Sequence, residues 1–155
     1  MAGTQQQISV DYDDTQVRDA LNRLLNLTQN TQPVMMEIAE YLHGRTRDNF
    51  DQEQDPDGNA WAALKDSTKK RKADIGVPVD QILHGKSLHL RDTIFPFWSD
   101  DEAGVSTGPG TGAYAATHQF GDDRRNIPAR PFLGISDGDE REILEILQDE
   151  ILSQL

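Results

Sequence analysis

Apolar and polar positions change period along the chain, and each change marks an expected element. Over residues 5–12, Ile8, Val10 and Tyr12 alternate with polar neighbours, the period of a short strand with one buried face. Asp13, with Gln16 three residues on, then offers a helix cap with a reciprocal partner. Val17, Ala20, Leu21, Leu24 and Leu25 recur at helical spacing, which predicts a helix over about 14–29. Pro33 suits the first turn of a second helix. Met35, Ile38, Ala39, Leu42, Thr46 and Phe50 form its stripe to about residue 50, with Gly44 as a weak spot. The short link at 30–32 makes the two helices an antiparallel pair.

From 51 to about 80 the periodicity is lost. Residues 51–59 read as a turn built on Pro56 and Gly58, the run 65–72 is basic, and 73–80 is broken by Gly76 and Pro78. The expectation is a long loop over 51–80, and loops of that length are usually functional. Residues 80–92 read as a helix or helical turn. The stretch 93–98 and its partner 103–107 read as a hairpin, with Pro96 confining its strand to an edge. Residues 113–120 form a short helical segment, and prolines hold 125–135 extended. A last helix begins at Ser136 or Asp137. Its apolar positions 143, 144, 146, 147, 151, 152 and 155 are wider than one stripe. Ile146 lies off the line through Leu144, Leu147, Ile151 and Leu155, so this helix is either largely buried or meets a partner.

These elements predict an α+β fold: a small, mostly antiparallel sheet carrying two N-terminal helices and a C-terminal helix. With 155 residues the chain reads as a single domain, 1–155. Fifteen Lys and Arg stand against 27 Asp and Glu, a net charge of −12, which disfavours general duplex binding by counterion release. The absence of cysteine rules out disulfides, thiolate metal sites and a cysteine nucleophile. No apolar run is long enough to span a bilayer, and the N-terminus shows no signal-peptide pattern, so no membrane association is expected.

Short matches to catalytic motifs fail on context. His84-Gly85-Lys86-Ser87 ends like a phosphate loop, but Asp80 stands where the first glycine belongs. Gly104-Val105-Ser106-Thr107-Gly108 matches a nucleophile elbow, but it lies on a hairpin strand with no acid before His118. The calcium-like run at 53–58 has Leu64 where a bidentate glutamate is needed. The four histidines lack zinc spacing. The expectation is no catalytic residue, no cofactor and no metal.

Two patches of opposite charge remain. Residues 65–72 hold five cations and one anion, while 137–155 hold seven carboxylates against Arg141 alone. The basic run fits nucleic acid, solvent, or the acidic face of another copy; opposite patches on one chain suit head-to-tail rings. Arg130, stiffened by Pro128 and Pro131, points toward either a neighbour or an internal carboxylate, the neighbour being preferred. Phe132 beside it is an interface anchor or a core plug. The candidate interface is Lys69, Lys70, Arg71, Lys72, Arg130, Phe132 and Ile146. His118 and Gln119 precede a helix-capping Gly121, with backbone hydrogen bonding as their expected task.

From Asp57 to Gly134 the sequence resembles the phage virion morphogenesis family, whose members include tail-completion proteins of contractile-tailed and Mu-like phages. The resemblance runs through Asp57-Gly58, Trp61, Leu64 and Thr68; Ile82-Leu83, Ser87 and 90–94; YAATHQFG at 114–121; and IPARPFLG at 127–134. Leu88 departs from the glycine expected after Ser87. The resemblance implies a non-enzymatic subunit of the virion neck or tail, assembled in the host cytoplasm. It further implies a ring of identical copies that caps the tail tube and contacts tail-tube or head-connector proteins. A head-side connector or capsid-assembly factor is the alternative, and a small hydrolase a more distant one. Such a ring passes DNA without sequence-specific binding, and an anionic wall would repel the phosphates.

Overall fold

The computed structural model describes residues 14–83, 90–108 and 111–155; the strand expected over 5–12 and Asp13 lie outside them. Helix α1 (Thr15–Leu27) is capped by Asp14, one residue later than expected. Its carboxylate accepts from the backbone N–H groups of Gln16 at 2.8 Å and Val17 at 3.1 Å, satisfying two donors that have no partner within the helix. Helix α2 (Gln32–Gln52) opens on Pro33 and buries Val34, Met35, Ile38, Ala39, Leu42, Thr46, Asn49 and Phe50, the expected stripe with Val34 and Asn49 added. Gly44 faces open space, so it weakens the helix through propensity alone.

The region expected as one long loop contains a helix. Residues 53–60 do turn, closed by the Gln54–Ala60 bridge, and the Asp55 carboxylate accepts from the N–H groups of Asp57 and Asn59 at 3.0 and 2.8 Å. The basic run that follows is helix α3 (Asp66–Asp74). Its interior lacks glycine and proline and is rich in Lys, Arg and Ala, all strong helix formers. Its sole buried residue among those described is Lys72, so it has no apolar stripe for a periodicity test to find.

A 3₁₀ turn (Leu90–Thr93) leads into β1 (Ile94–Trp98), which pairs antiparallel with β2 (Ala103–Thr107) as the expected hairpin, in a register that sets Pro96 opposite Val105. The helical reading of 80–92 is met only at that turn, and 84–89 lie outside the described residues. Helix α4 (Gly112–Phe120) ends at Gly121, and an extended segment with a turn at 122–127 leads to α5 (Asp137–Ser153). Among the described residues, five helices and a two-stranded antiparallel sheet make an α+β fold.

Helix α2 serves two cores. Its first half packs with Ala20 and Leu24 of α1 and with Ile143, Ile146, Leu147 and Ile151 of α5. Its last turn puts Phe50 into a second cluster with Trp61, Leu83, Leu90, Ile94, Ala115, Phe132 and Leu133. Twenty-one helical residues span about 30 Å, so the two clusters lie toward opposite ends of one rod. The α5 stripe differs from the expected line. Ile143, Ile146, Leu147 and Ile151 face inward, whereas Leu152 and Leu155 are exposed. At 100° per residue, Ile146 falls beside Ile143 and Leu152 on the far side. Ile146 is therefore a core residue of the subunit, and the interface assignment made for it is corrected.

The start of α5 is pinned to the middle of α2. Ser136 and Asp139 form a reciprocal capping box, the Asp139 N–H donating to Ser136 Oγ at 3.1 Å and the Ser136 N–H to Asp139 Oδ2 at 3.0 Å. The other Asp139 oxygen accepts from the Tyr41 hydroxyl and from Arg45 Nε, both at 2.8 Å. Burial would push the Asp139 carboxyl up, but the donors from Ser136, Arg45 and Tyr41 together hold it below the usual carboxylate range. The phenol of Tyr41 is pushed up to about 12, by burial first and then by its bond to Asp139.

A folded-state pKa below the unfolded value contributes stability above the unfolded value of 3.8, and that contribution is lost as pH falls through the folded value. Asp139→Asn should cost about 2–3 kcal/mol at neutral pH. It should also flatten the fall of the melting temperature below pH 4, which a calorimetric pH series on both proteins would measure.

Candidate functional site

The segment 128–135 runs extended beside α4 and α2 without joining a sheet, so its backbone polar groups need other partners. Gln119 supplies three of them: its Oε1 accepts from the N–H groups of Phe132 and Leu133, each at 3.0 Å, and its Nε2 donates to Leu133 O at 2.8 Å. Trp61 Nε1 donates to Pro131 O at 2.7 Å, and Asn49 Nδ2 to Phe132 O at 3.3 Å. The Arg130 N–H donates to His118 O at 2.7 Å. The backbone task expected of Gln119 is thus carried by its side chain, whereas His118 contributes its main-chain oxygen.

Gly121 permits this approach. At φ +75°, it ends α4 with its Cα so close to the returning chain that a Cβ would lie 2.7 Å from Ala129 N. Phe132 is then fully buried, its ring 5.1 Å from Phe50, which meets Trp61 edge-on at 5.4 Å. Phe132 is a core plug.

Arg130 also turns inward. Its Nε donates to Ala62 O at 2.8 Å and its Nη2 to Ala63 O at 3.1 Å, so carbonyls rather than a neighbour or a carboxylate receive it. The prolines extend the backbone, but the direction of the side chain is set by the 61–64 strand-like stretch lying across it. Lys72 is buried too, with its ammonium donating to Pro78 O at 3.4 Å and to Gln81 O. Burial lowers the pKa of both cations, while Glu53 counteracts it. Of the seven candidate interface residues, Lys69, Lys70 and Arg71 are exposed; Lys72, Arg130, Phe132 and Ile146 are buried within the subunit.

Arg71 and the two buried cations border a pocket of about 330 Å³ between α3, α4 and the 126–130 turn. Lys65 adds a fourth cation, its ammonium bonded to Asn126 O. Leu64, Ile75, Val77, Leu83, Ile127 and Pro128 make apolar walls, and none of the described lining residues is acidic. His118 faces in from α4, its ring edge-on to Tyr114 at 4.4 Å and its buried Nδ1 without a hydrogen-bond partner among the described residues. Burial, then the charges of Arg130 and Arg125, lower its pKa from 6.5 to about 4, so the imidazole is neutral at pH 7. Sequence reasoning missed this pocket because its cations come from two distant segments, the run 65–72 and Arg130. YAATHQFG and IPARPFLG were the signal, since both border it.

Ser106 lies on β2 and donates to Thr107 O, away from any strand-to-helix elbow. No cluster of three metal-ligating side chains occurs among the described residues, and no helix among them is long and apolar enough to cross a membrane.

Arg130→Ala should cost about 1–3 kcal/mol by stranding two carbonyls. Arg130→Lys should recover only part of this, because one ammonium cannot reproduce the fork; urea denaturation of both variants measures the difference. His118 protonates in the unfolded chain before it does in the folded one. The wild type should therefore lose stability as pH falls from 6.5 to 4, and His118→Gln should remove that part of the slope in a thermal-melt series.

Comparison with known proteins gives the site its setting. The profile of the phage virion morphogenesis family matches residues 12–152. The chain is 32% identical over 148 residues to "Mu-like prophage FluMu G protein 2" of Haemophilus influenzae, covering 92% of this chain and 94% of that protein. It is 27% identical over 157 residues to "Putative capsid assembly protein G" of Escherichia phage Mu, covering 96% of each. No solved structure matches significantly. With nearly its whole described length matched, from before α1 to the last turn of α5, the chain belongs to the phage virion morphogenesis family.

Proposed function

We propose that this virion morphogenesis protein is a structural subunit of the head–tail junction. Copies assemble head to tail into a ring that caps the tail tube, ends its polymerisation and presents a surface for head joining. The observation that carries this reading is the separation of opposite charge onto the two ends of one subunit. Exposed Lys69, Lys70 and Arg71 lie on α3, beside the cluster around Phe50. The carboxylates of α5 lie with the cluster around α1 and the first half of α2. Contacts between unlike patches on successive copies suit head-to-tail assembly, which closes into a ring when the rotation between copies allows it. The role requires no bond chemistry, and the ring's partners are further copies, tail-tube subunits and a head connector. A net charge of −12 on each copy suits a passage for DNA, since anionic walls do not retain phosphates.

A second reading follows from the name of the phage Mu relative, which speaks of capsid assembly. On that reading the ring belongs to the head. Electron microscopy of particles made without the gene separates the two. Tails of abnormal length beside unjoined, full heads are expected; malformed heads with normal tails would place the protein on the capsid side.

The triple change of Lys69, Lys70 and Arg71 to Glu should abolish incorporation into particles while shifting the melting temperature of the isolated chain little, since exposed charges contribute about 0–1 kcal/mol. Lys72→Glu should instead destabilise the chain itself, by breaking the contacts to Pro78 and Gln81. Particle yield, read beside thermal melts of the two variants, tests both statements.

A further inference from the structure

We infer that the pocket between α3 and α4 is a docking socket for one ridge of helix α5 on a second copy of the chain. The inference rests on the self-assembly reading above and assigns it a contact. The socket has two chemical demands. In a chain with 27 carboxylates, a pocket bordered by Lys65, Arg71, Lys72 and Arg130 without one described acidic lining residue selects an anionic occupant. Its remaining walls are aliphatic, so that occupant also brings an apolar group. The buried cations sharpen the first demand. Arg130 and Lys72 spend their hydrogen bonds on neutral carbonyls, which satisfy the donors and leave the charge in place. The nearby carboxylate of Glu53 offsets only part of it, and is itself an acceptor for the Ile82 N–H.

The outer face of α5 meets both demands. Glu145, Asp149 and Leu152 are spaced four and three residues apart, so they form one ridge, and all three are exposed, Leu152 to 67%. That ridge lies opposite the buried stripe of Ile143, Ile146, Leu147 and Ile151, and none of the described residues buries it. In the docked pair Leu152 enters between Ile75, Val77 and Ile127, while Asp149 and Glu145 meet Arg71 and Lys65 at the rim. The His118 Nδ1, which has no partner among the described residues, gives the socket one further polar group for a carboxylate to meet. Socket and ridge belong to the two different core clusters, so the same copy cannot fill its own socket without unfolding, and each copy offers one of each. That is a head-to-tail contact, the kind from which rings are built.

The absence of cysteine permits a direct test. Thr68, on the socket wall, and Leu152 are each replaced by Cys in separately tagged full-length chains. The two are co-expressed during phage growth and treated with a short thiol-reactive crosslinker, both as purified mixture and in assembled particles. Thr68→Cys paired with Leu152→Cys should give a mixed-tag dimer in particles, well above the yield with a control cysteine at exposed Leu27 of α1. Arg71→Glu and Asp149→Arg should each weaken self-association about tenfold, and the double variant should restore it, as expected for a charge pair across an interface. Sedimentation velocity and particle incorporation read that effect. Crosslinking no better than the control, capture of a different virion protein by the Thr68 cysteine, or a double variant no better than the singles would each overturn the assignment. If the socket fails while particles lacking the gene still show unjoined heads, the assembly role stands without this contact. If such particles are complete, the assembly role itself falls.

Discussion

A buried, extended segment that joins no sheet must find hydrogen-bond partners for its backbone elsewhere, and the second core of this protein is organised around that constraint. The stretch 128–135 carries Phe132 and Leu133 into the interior. Their amides would be unpaired there at a cost of about 1–3 kcal/mol each. The carboxamide of Gln119 acts as a short piece of sheet edge, accepting from two N–H groups and donating to one carbonyl. Trp61 and Asn49 complete the set from the 61–64 stretch and from α2. Much of the rest follows. Gly121 lets the chain return closely enough. Phe132 fills the space between Phe50 and its neighbours. Arg130 swings away from solvent onto Ala62 and Ala63. The YAATHQFG and IPARPFLG stretches are thus two halves of one structural device.

That device has an electrostatic consequence. Tying 128–135 to the 61–64 stretch brings Arg130 close to the start of α3 and so concentrates cations in a strongly acidic chain. Helix α5, pinned by Asp139 to Tyr41 and Arg45, carries the opposite charge with the other core. Helix α2 holds the two regions apart. A subunit with that polarity favours contact between unlike ends, and the family to which it belongs builds virions.

Wherever a local rule decided structure, the sequence was legible. The stripes of α1 and α2, the pairing of the hairpin strands, the stop at Gly121 and the start of α5 each follow from spacing or capping chemistry within a few residues. Helix α3 escaped because it is anchored by a lysine rather than by an apolar face. The cap at Asp14 was misplaced by one residue because adjacent aspartates offer the same side chain, and only the backbone geometry chooses between them.

The sequence by itself determined the α+β class, most helix and strand positions, the charge asymmetry and the family resemblance, because these depend on neighbours in the chain. Tertiary structure alone decided which side chains remain available to a partner. Arg130 and Lys72 are cations that any composition rule places outside, yet carbonyls from distant segments draw them in. Ile146 and Leu152 are alike in the sequence, but α1 and α2 cover the first and leave the second in solvent. Burial depends on what the fold sets opposite a residue, and no local pattern contains that information.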